Sequence, residues 1–159
     1  MKVTIISVGK IKEKFFSDAI KEYTKRISKF AKIEEIQISD ERCDDNYSQK
    51  EIEQVIEKES SKIMKKIKDN SYVIALCIEG NQISSVDLAE KMKSIYMSHG
   101  SDIVFVIGGS NGLSNIVKER ADFKLSFSKM TFPHQLFKVL LLEQIYRAFK
   151  INNGESYHK

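Results

Sequence analysis

Apolar residues along this chain switch repeatedly between two spacings. Val3 to Val8 reads as a strand, and Lys12 to Lys29 then sets Phe16, Ala19, Ile20, Tyr23, Ile27 and Phe30 three and four residues apart, the period of an amphipathic helix. Lys32 to Ile38 alternates as a strand. Asp40 to Tyr47 is a polar loop, and Ser48 to Lys68 is a second helix whose first turn carries a capping box, Ser48 with Glu51. Tyr72 to Ile78 is the next strand, followed by a helix from Ser84 or Ser85 to Met97 that Gly100 closes. Ile103 to Ile107 is short, β-branched and uncharged, as a strand buried on both faces requires. Leu125 to Met130 alternates again, and Pro133 to Asn152 is a long final helix. Its proline sits at the first turn, where a missing N–H costs nothing. Strands alternating with helices predict an α/β fold, a largely parallel sheet with helices on both faces, in one domain spanning residues 1–159.

The final helix departs from the usual pattern of a surface helix. Leu136, Phe137, Val139, Leu140, Leu141, Leu142, Ile145, Tyr146, Ala148, Phe149 and Ile151 cover most of its circumference rather than one stripe. A domain this small rarely buries a helix on all sides, so a second subunit is expected to cover it and the chain is expected to be a homodimer.

In parallel sheets ligands collect beyond the carboxyl ends of strands. Three runs end in that sense: Leu76 to Gly80 with Asn81, Gly108-Gly109-Ser110-Asn111-Gly112, and Phe127 to Phe132. Glycines in the second let main-chain N–H groups approach a ligand, and Ser110 and Asn111 add short hydrogen-bonding groups. Two nucleotide signatures fail here. A dinucleotide fingerprint needs glycine where Ser110 stands, and no Gly-Lys-Ser or Gly-Lys-Thr occurs for a triphosphate loop. With no Lys or Arg between Gly108 and Leu113, the loop suits a ligand without a triphosphate, such as an adenosine bearing an uncharged or cationic tail. Neither Glu79 nor Ser110 can be preferred as the group that would reach such a tail.

Composition narrows the classes further. The chain has 159 residues, of which 42% are hydrophobic and 30% charged, a globular balance. Its apolar runs are too short to span a bilayer, and Met1 to Ile6 leads into a strand without a leader-like apolar region, so a cytoplasmic protein is expected. Cys43 and Cys77 stand in dissimilar contexts, and His99, His134 and His158 are scattered, so neither a disulfide nor a metal site is expected. The net charge of +4 is uneven: residues 1–30 carry eight basic side chains against three acidic, and residues 31–60 four against ten. A basic start of this kind is compatible with RNA phosphates and equally with a solvated helix face.

After Asn152-Asn153-Gly154 the chain ends in Glu155-Ser156-Tyr157-His158-Lys159, which puts an aromatic ring, an imidazole and a cation side by side. With IGGSNGL and LSFSKMTFPHQ, this terminal YHK resembles the RlmH family of SPOUT-class ribosomal RNA large subunit (pseudouridine-N3) methyltransferases, and the likeness runs over essentially the whole chain. The resemblance implies a SPOUT fold with a C-terminal trefoil knot, a homodimer, and methyl transfer from S-adenosyl-L-methionine to N3 of a pseudouridine in a stem-loop of 23S ribosomal RNA on the assembled ribosome. It also implies that Leu76, Gly80, Gly108, Gly109, Gly112, Phe127, Ser128, Lys129, Met130, Thr131 and Phe132 hold the cofactor. The tail would close over the partner's cofactor site with Tyr157, His158 and Lys159 as catalytic residues. On this reading His158 is either a general base or an orienting group, Tyr157 stacks on or bonds the base, and Lys159 meets phosphate. Lys129 has no catalytic role, His134 is a capping or structural group, and Arg147 faces either the dimer seam or the RNA. A ribosome-binding factor without activity, or a nucleotide sensor with the tail as lid, would share the fold.

Overall fold

The computed structural model describes residues 1–100 and 102–159. Its elements follow in the order β1 (Lys2–Val8), α1 (Lys14–Ile27), β2 (Lys32–Ile38), α2 (Gln49–Met64), β3 (Tyr72–Gln82), α3 (Ser85–His99), β4 (Asp102–Ile107), α4 (Asn115–Arg120), β5 (Phe123–Ser126) and α5 (His134–Asn152). The strands form one sheet in the order β2-β1-β4-β3-β5, and every pairing is parallel. Alternate residues of the central strands face opposite layers, as the strand period of two demands. Val3, Ile5, Ile74, Leu76, Ile103, Phe105 and Ile107 pack with α1, α3 and α5 through Ile20, Ile27, Met92, Leu142 and Ile145. Ile6, Val8, Val73, Ala75, Val104 and Val106 pack with α2 and α4 through Ile63 and Val117. Helices therefore cover both faces of an α/β sheet.

Local chemistry explains most of the boundaries. The Ser48–Glu51 capping box forms as expected, and Ser84 with Asp87 builds a second one at α3; such a cap is worth about 1 kcal/mol. Helix α2 stops at Met64 rather than Lys68, because the Lys66 N–H donates to Ile63 and that of Ile67 to Met64, tightening the end into i→i+3 turns. Pro133 is the N-cap of α5, with extended ψ, and not its first helical residue. Short α4 has only six residues, too few to produce a periodic signal.

Two differences from the expected strands shape the site. Strand β5 ends at Ser126 and does not run on to Met130, since its only ladder partner, β3, ends opposite it at Gln82. Beyond it the Ser128 hydroxyl accepts from the Met130 N–H, and the Ser126 hydroxyl donates to the Ser128 carbonyl, so side chains take over the backbone groups that a ladder would have used. Strand β3 runs past Ile78 to Gln82, because Leu76 and Asn81 both pair with Leu125 and the residues between them bulge out of the ladder. Gly80 permits this: a Cβ there would lie 2.8 Å from the backbone of Lys124 and Leu125.

Candidate functional site

A cavity of about 880 Å³ opens beyond the carboxyl ends of β3, β4 and β5, within the size range of small-molecule sites. The β3 bulge supplies Cys77, Ile78 and Glu79, next to Leu76. From β4 come Ile107 and the loop Gly108 to Leu113, which turns tightly as the Gly112 N–H donates to the Gly109 carbonyl at 3.0 Å. Phe127, Ser128, Met130, Thr131 and Phe132 complete the wall with Pro133, His134 and Phe137. Phe137 packs against Phe127 with ring centroids 4.9 Å apart and stacks on Phe132 at 6.2 Å.

The loop from β4 is braced from behind by α2. Buried Glu59 accepts from the Glu41 N–H at 3.0 Å, and its Oε1 would lie 3.3 Å from a Cβ on Gly109. Burial pushes the Glu59 carboxyl up from the usual range. The Ser60 hydroxyl accepts from the Ser114 N–H. The opposite wall is held by α5, whose Gln135 side chain accepts from the N–H groups of Lys12 and Glu13 and so caps α1 in place of a side chain from its own start.

Of the residues expected at the cofactor, Leu76, Gly108, Gly109, Gly112, Phe127, Ser128, Met130, Thr131 and Phe132 line this cavity. Gly80 does not; it is packed against β5 and acts on the site only by letting β3 bulge. Exposed Lys129 is not a lining residue either. Sequence reasoning missed Cys77, Ile78, Lys118 and Phe137. The bulge that turns Cys77 and Ile78 inward depends on pairing with β5, and Lys118 lies on the helix too short to be read.

Tyr157 and His158 lie elsewhere. The tail folds back on α5, where the Tyr157 hydroxyl donates to Glu143 Oε1 at 3.1 Å and its ring meets Tyr146 edge-on at 4.9 Å. The Arg147 guanidinium sits 4.6 Å from the Tyr157 ring centroid and donates to His158 Nδ1 at 3.3 Å, while also binding Glu143. Because a guanidinium only donates, Nδ1 of His158 is the acceptor in this contact, which leaves Nε2 as the ring's donor. Lys159 is exposed. Arg147 belongs to this tail clasp. From Phe137, the last α5 residue at the cavity, to Glu143 and Arg147 is about 9 and 15 Å along the helix at 1.5 Å per residue, so within one chain the tail docks on the middle of α5, beyond the cavity at its start.

Burial and the Glu143 carboxylate push the Tyr157 phenol up to about 12 from its ordinary value near 10. A raised value means that the docked tail holds this proton more tightly than the free tail. The stabilisation this proton gives the docked tail is therefore fully present below pH 10 and is lost as the pH climbs through about 12. Difference absorbance between the wild type and Tyr157→Phe should show one tyrosine ionising late, and Glu143→Gln should bring it back toward its ordinary range. An unaltered late titration in Glu143→Gln would disprove the clasp.

Among the described residues no group of three or more His, Cys, Asp or Glu side chains could hold a metal, and no helix is long and apolar enough to cross a membrane. Residues 1–158 match a family described as "Predicted SPOUT methyltransferase". Proteins called ribosomal RNA large subunit methyltransferase H from Clostridium botulinum (strain Kyoto / Type A2), Clostridioides difficile (strain 630) and Clostridium tetani (strain Massachusetts / E88) are 56%, 54% and 53% identical to the chain, each over 100% of both sequences. Among solved structures, a methylase family protein from Haemophilus influenzae Rd KW20 superposes with a TM-score of 0.54 at 15% identity, covering 99% of this chain and 70% of that one. A methyltransferase from Legionella pneumophila with bound cofactor SAM gives 0.51 at 9%, covering 93% and 66%. These two show likeness of fold. Cavity, fold and full-length identity agree: the chain belongs to the SPOUT methyltransferase family, among the proteins called ribosomal RNA large subunit methyltransferase H.

Proposed function

We propose that this protein methylates N3 of a pseudouridine in a stem-loop of 23S ribosomal RNA, using S-adenosyl-L-methionine, as a cytoplasmic homodimer acting on the assembled ribosome. The observation that carries the reading is the separation of two half-sites along α5. A ligand cavity stands at the start of α5 and a clasped Tyr157–His158 tail lies further along the helix, on Glu143 and Arg147, and an antiparallel second copy would bring each tail to the other chain's cavity. Helix α5 leaves Leu136, Val139 and Leu140 only half-buried in a single chain, an apolar face suited to that pairing. The trefoil knot of the SPOUT class belongs to the same proposal.

The cavity fits the cofactor. Its volume suffices, Gly108 to Gly112 exposes backbone to an adenosine, and Leu76, Ile107 and Met130 offer apolar contact. Bound S-adenosyl-L-methionine supplies an electrophilic methyl group on a sulfonium. The chain's own task is then alignment: the acceptor nitrogen must lie in line with the breaking S–C bond as its own proton departs, and such positioning can supply about 7–11 kcal/mol of a barrier. With Arg147 on Nδ1, His158 would meet the base as a donor at Nε2, suited to holding a carbonyl beside N3. To take the N3 proton, the ring would have to leave Arg147. Tyr157 would stack on or bond the base, and Lys159 would meet phosphate.

Transfer of labelled methyl from S-adenosyl-L-methionine to ribosomes lacking the modification, with free ribosomal RNA alongside, tests this reading. Label on a single pseudouridine of ribosomes is the expected result. A folded dimer that binds the cofactor yet labels neither RNA would overturn the substrate and favour a ribosome-binding factor without activity.

A further inference from the structure

Among the described residues, one carboxylate, Glu79, and one ammonium, Lys118, line the cavity, and they are in contact. Glu79 rides on the β3 bulge and Lys118 on α4, and Lys118 Nζ binds Glu79 Oε1. The pair engages one carboxylate oxygen and one of the three ammonium donors, so both groups keep capacity for a second partner. Its side chains are 55% and 25% exposed, so the pair contributes little to folding and stands open to the cavity. Contact with Lys118, and then its own backbone amide, hold the Glu79 carboxyl below the usual carboxylate range. A surface ion pair would serve equally well outside the cavity. Here, among the described residues, it supplies the carboxylate and the ammonium of a site that otherwise presents glycine backbone, small polar groups, the His134 imidazole and apolar side chains.

We infer that Glu79 and Lys118 form a clamp for the zwitterionic amino-acid end of the cofactor, with Lys118 taking the α-carboxylate and Glu79 the α-ammonium. The inference rests on the cofactor reading above and adds the residues that would distinguish an adenosyl amino acid from a bare adenosyl thioether. A ligand end carrying both charges fits beside such a pair by making two charge-assisted bonds while leaving the local net charge at zero. A triphosphate would meet one cation and one repelling carboxylate, and an uncharged tail would leave both groups unused.

Calorimetry with three probes tests the clamp: S-adenosylhomocysteine, which has the full tail on a neutral sulfur; decarboxylated S-adenosylmethionine, which keeps the ammonium and the sulfonium but lacks the carboxylate; and methylthioadenosine, which has no tail. In Lys118→Met, S-adenosylhomocysteine should bind about tenfold more weakly, as expected for the loss of one charge-assisted bond, while methylthioadenosine is unchanged and decarboxylated S-adenosylmethionine, freed of a repelling cation, is not weakened. In Glu79→Gln, both tailed probes should weaken by a similar factor and methylthioadenosine should not. Methylthioadenosine thus reports that the loop still folds. Equal weakening of all three probes would reduce the pair to a structural prop and overturn the clamp alone, as would no change in any. Wild-type protein that binds none of the three would overturn the cofactor reading, and the clamp with it.

Discussion

Replacing His158 with alanine should lower methyl transfer by about a hundredfold to ten-thousandfold, the range for losing a positioned proton-transfer or hydrogen-bonding group, with cofactor affinity nearly unchanged. The expectation follows from where the ring sits. His158 is on an exposed tail held by Arg147 at 3.3 Å, about 15 Å along α5 from Phe137 at its own chain's cavity, so removing it leaves the cavity walls untouched. Single-turnover transfer measured beside calorimetric cofactor binding separates the two effects. Equal loss of both would reject the assigned role and make the tail part of the cofactor site itself.

Gly108→Val is expected to produce the second large effect, in the opposite column: a loss of cofactor affinity of a hundredfold or more in a protein that still folds. Even the first carbon of a side chain there would lie 2.8 Å from the carbonyl carbon and oxygen of Gly112 and 3.0 Å from Leu113 Cγ, so the loop must open for any residue larger than glycine. Backbone cannot yield as a flexible side-chain end would. The displaced segment, Gly109 to Gly112, is the one that lines the cavity. A folded variant with unaltered affinity would place the cofactor elsewhere. The two substitutions also combine. In a heterodimer of Gly108→Val with His158→Ala, one composite site keeps an intact cavity and an intact tail, so partial activity should return on mixing. No recovery in confirmed heterodimers would argue that each chain carries a complete site.

Local chemistry made the frame legible, and long-range pairing hid the rest. Ser48 and Glu51 announce a helix start because both halves of the capping box lie within one turn, and Val3 to Val8 and Ile103 to Ile107 announce buried strands through their own side chains. The cavity was legible at the same level, since glycine at Gly108 to Gly112 and the chain's only proline mark loops directly. The bulge was not. Leu76 to Gln82 reads as any apolar strand giving way to polar residues, and only its ladder with Leu125 and Ser126 extrudes Cys77 to Glu79. The resting place of the tail was equally hidden, because Tyr157 reaches Glu143 fourteen residues back by reversing direction after Gly154, and no periodicity records such a return. The final helix lies between. Its encircling apolar residues predicted burial on several sides, and the structure buries Leu141, Leu142, Ile145, Ala148 and Phe149 while leaving a half-open face.

The order of strands has a consequence for how the chain comes into being. Strand β1 is an inner strand of the sheet, and its neighbour on one side, β4, is made much later: Lys2 pairs with Asp102, and the Thr4 hydroxyl donates to Asp102 across ninety-eight residues of chain. A growing polypeptide can lay β2 beside β1 early, but the other edge of β1 keeps its hydrogen-bonding groups unpaired until β4 has emerged. Loop closure over such a span is slow compared with helix formation. During that interval a mostly apolar, β-branched edge is open to pairing with any other strand, so this protein, whose relatives are called ribosomal RNA methyltransferases, spends its most aggregation-prone moments attached to a ribosome.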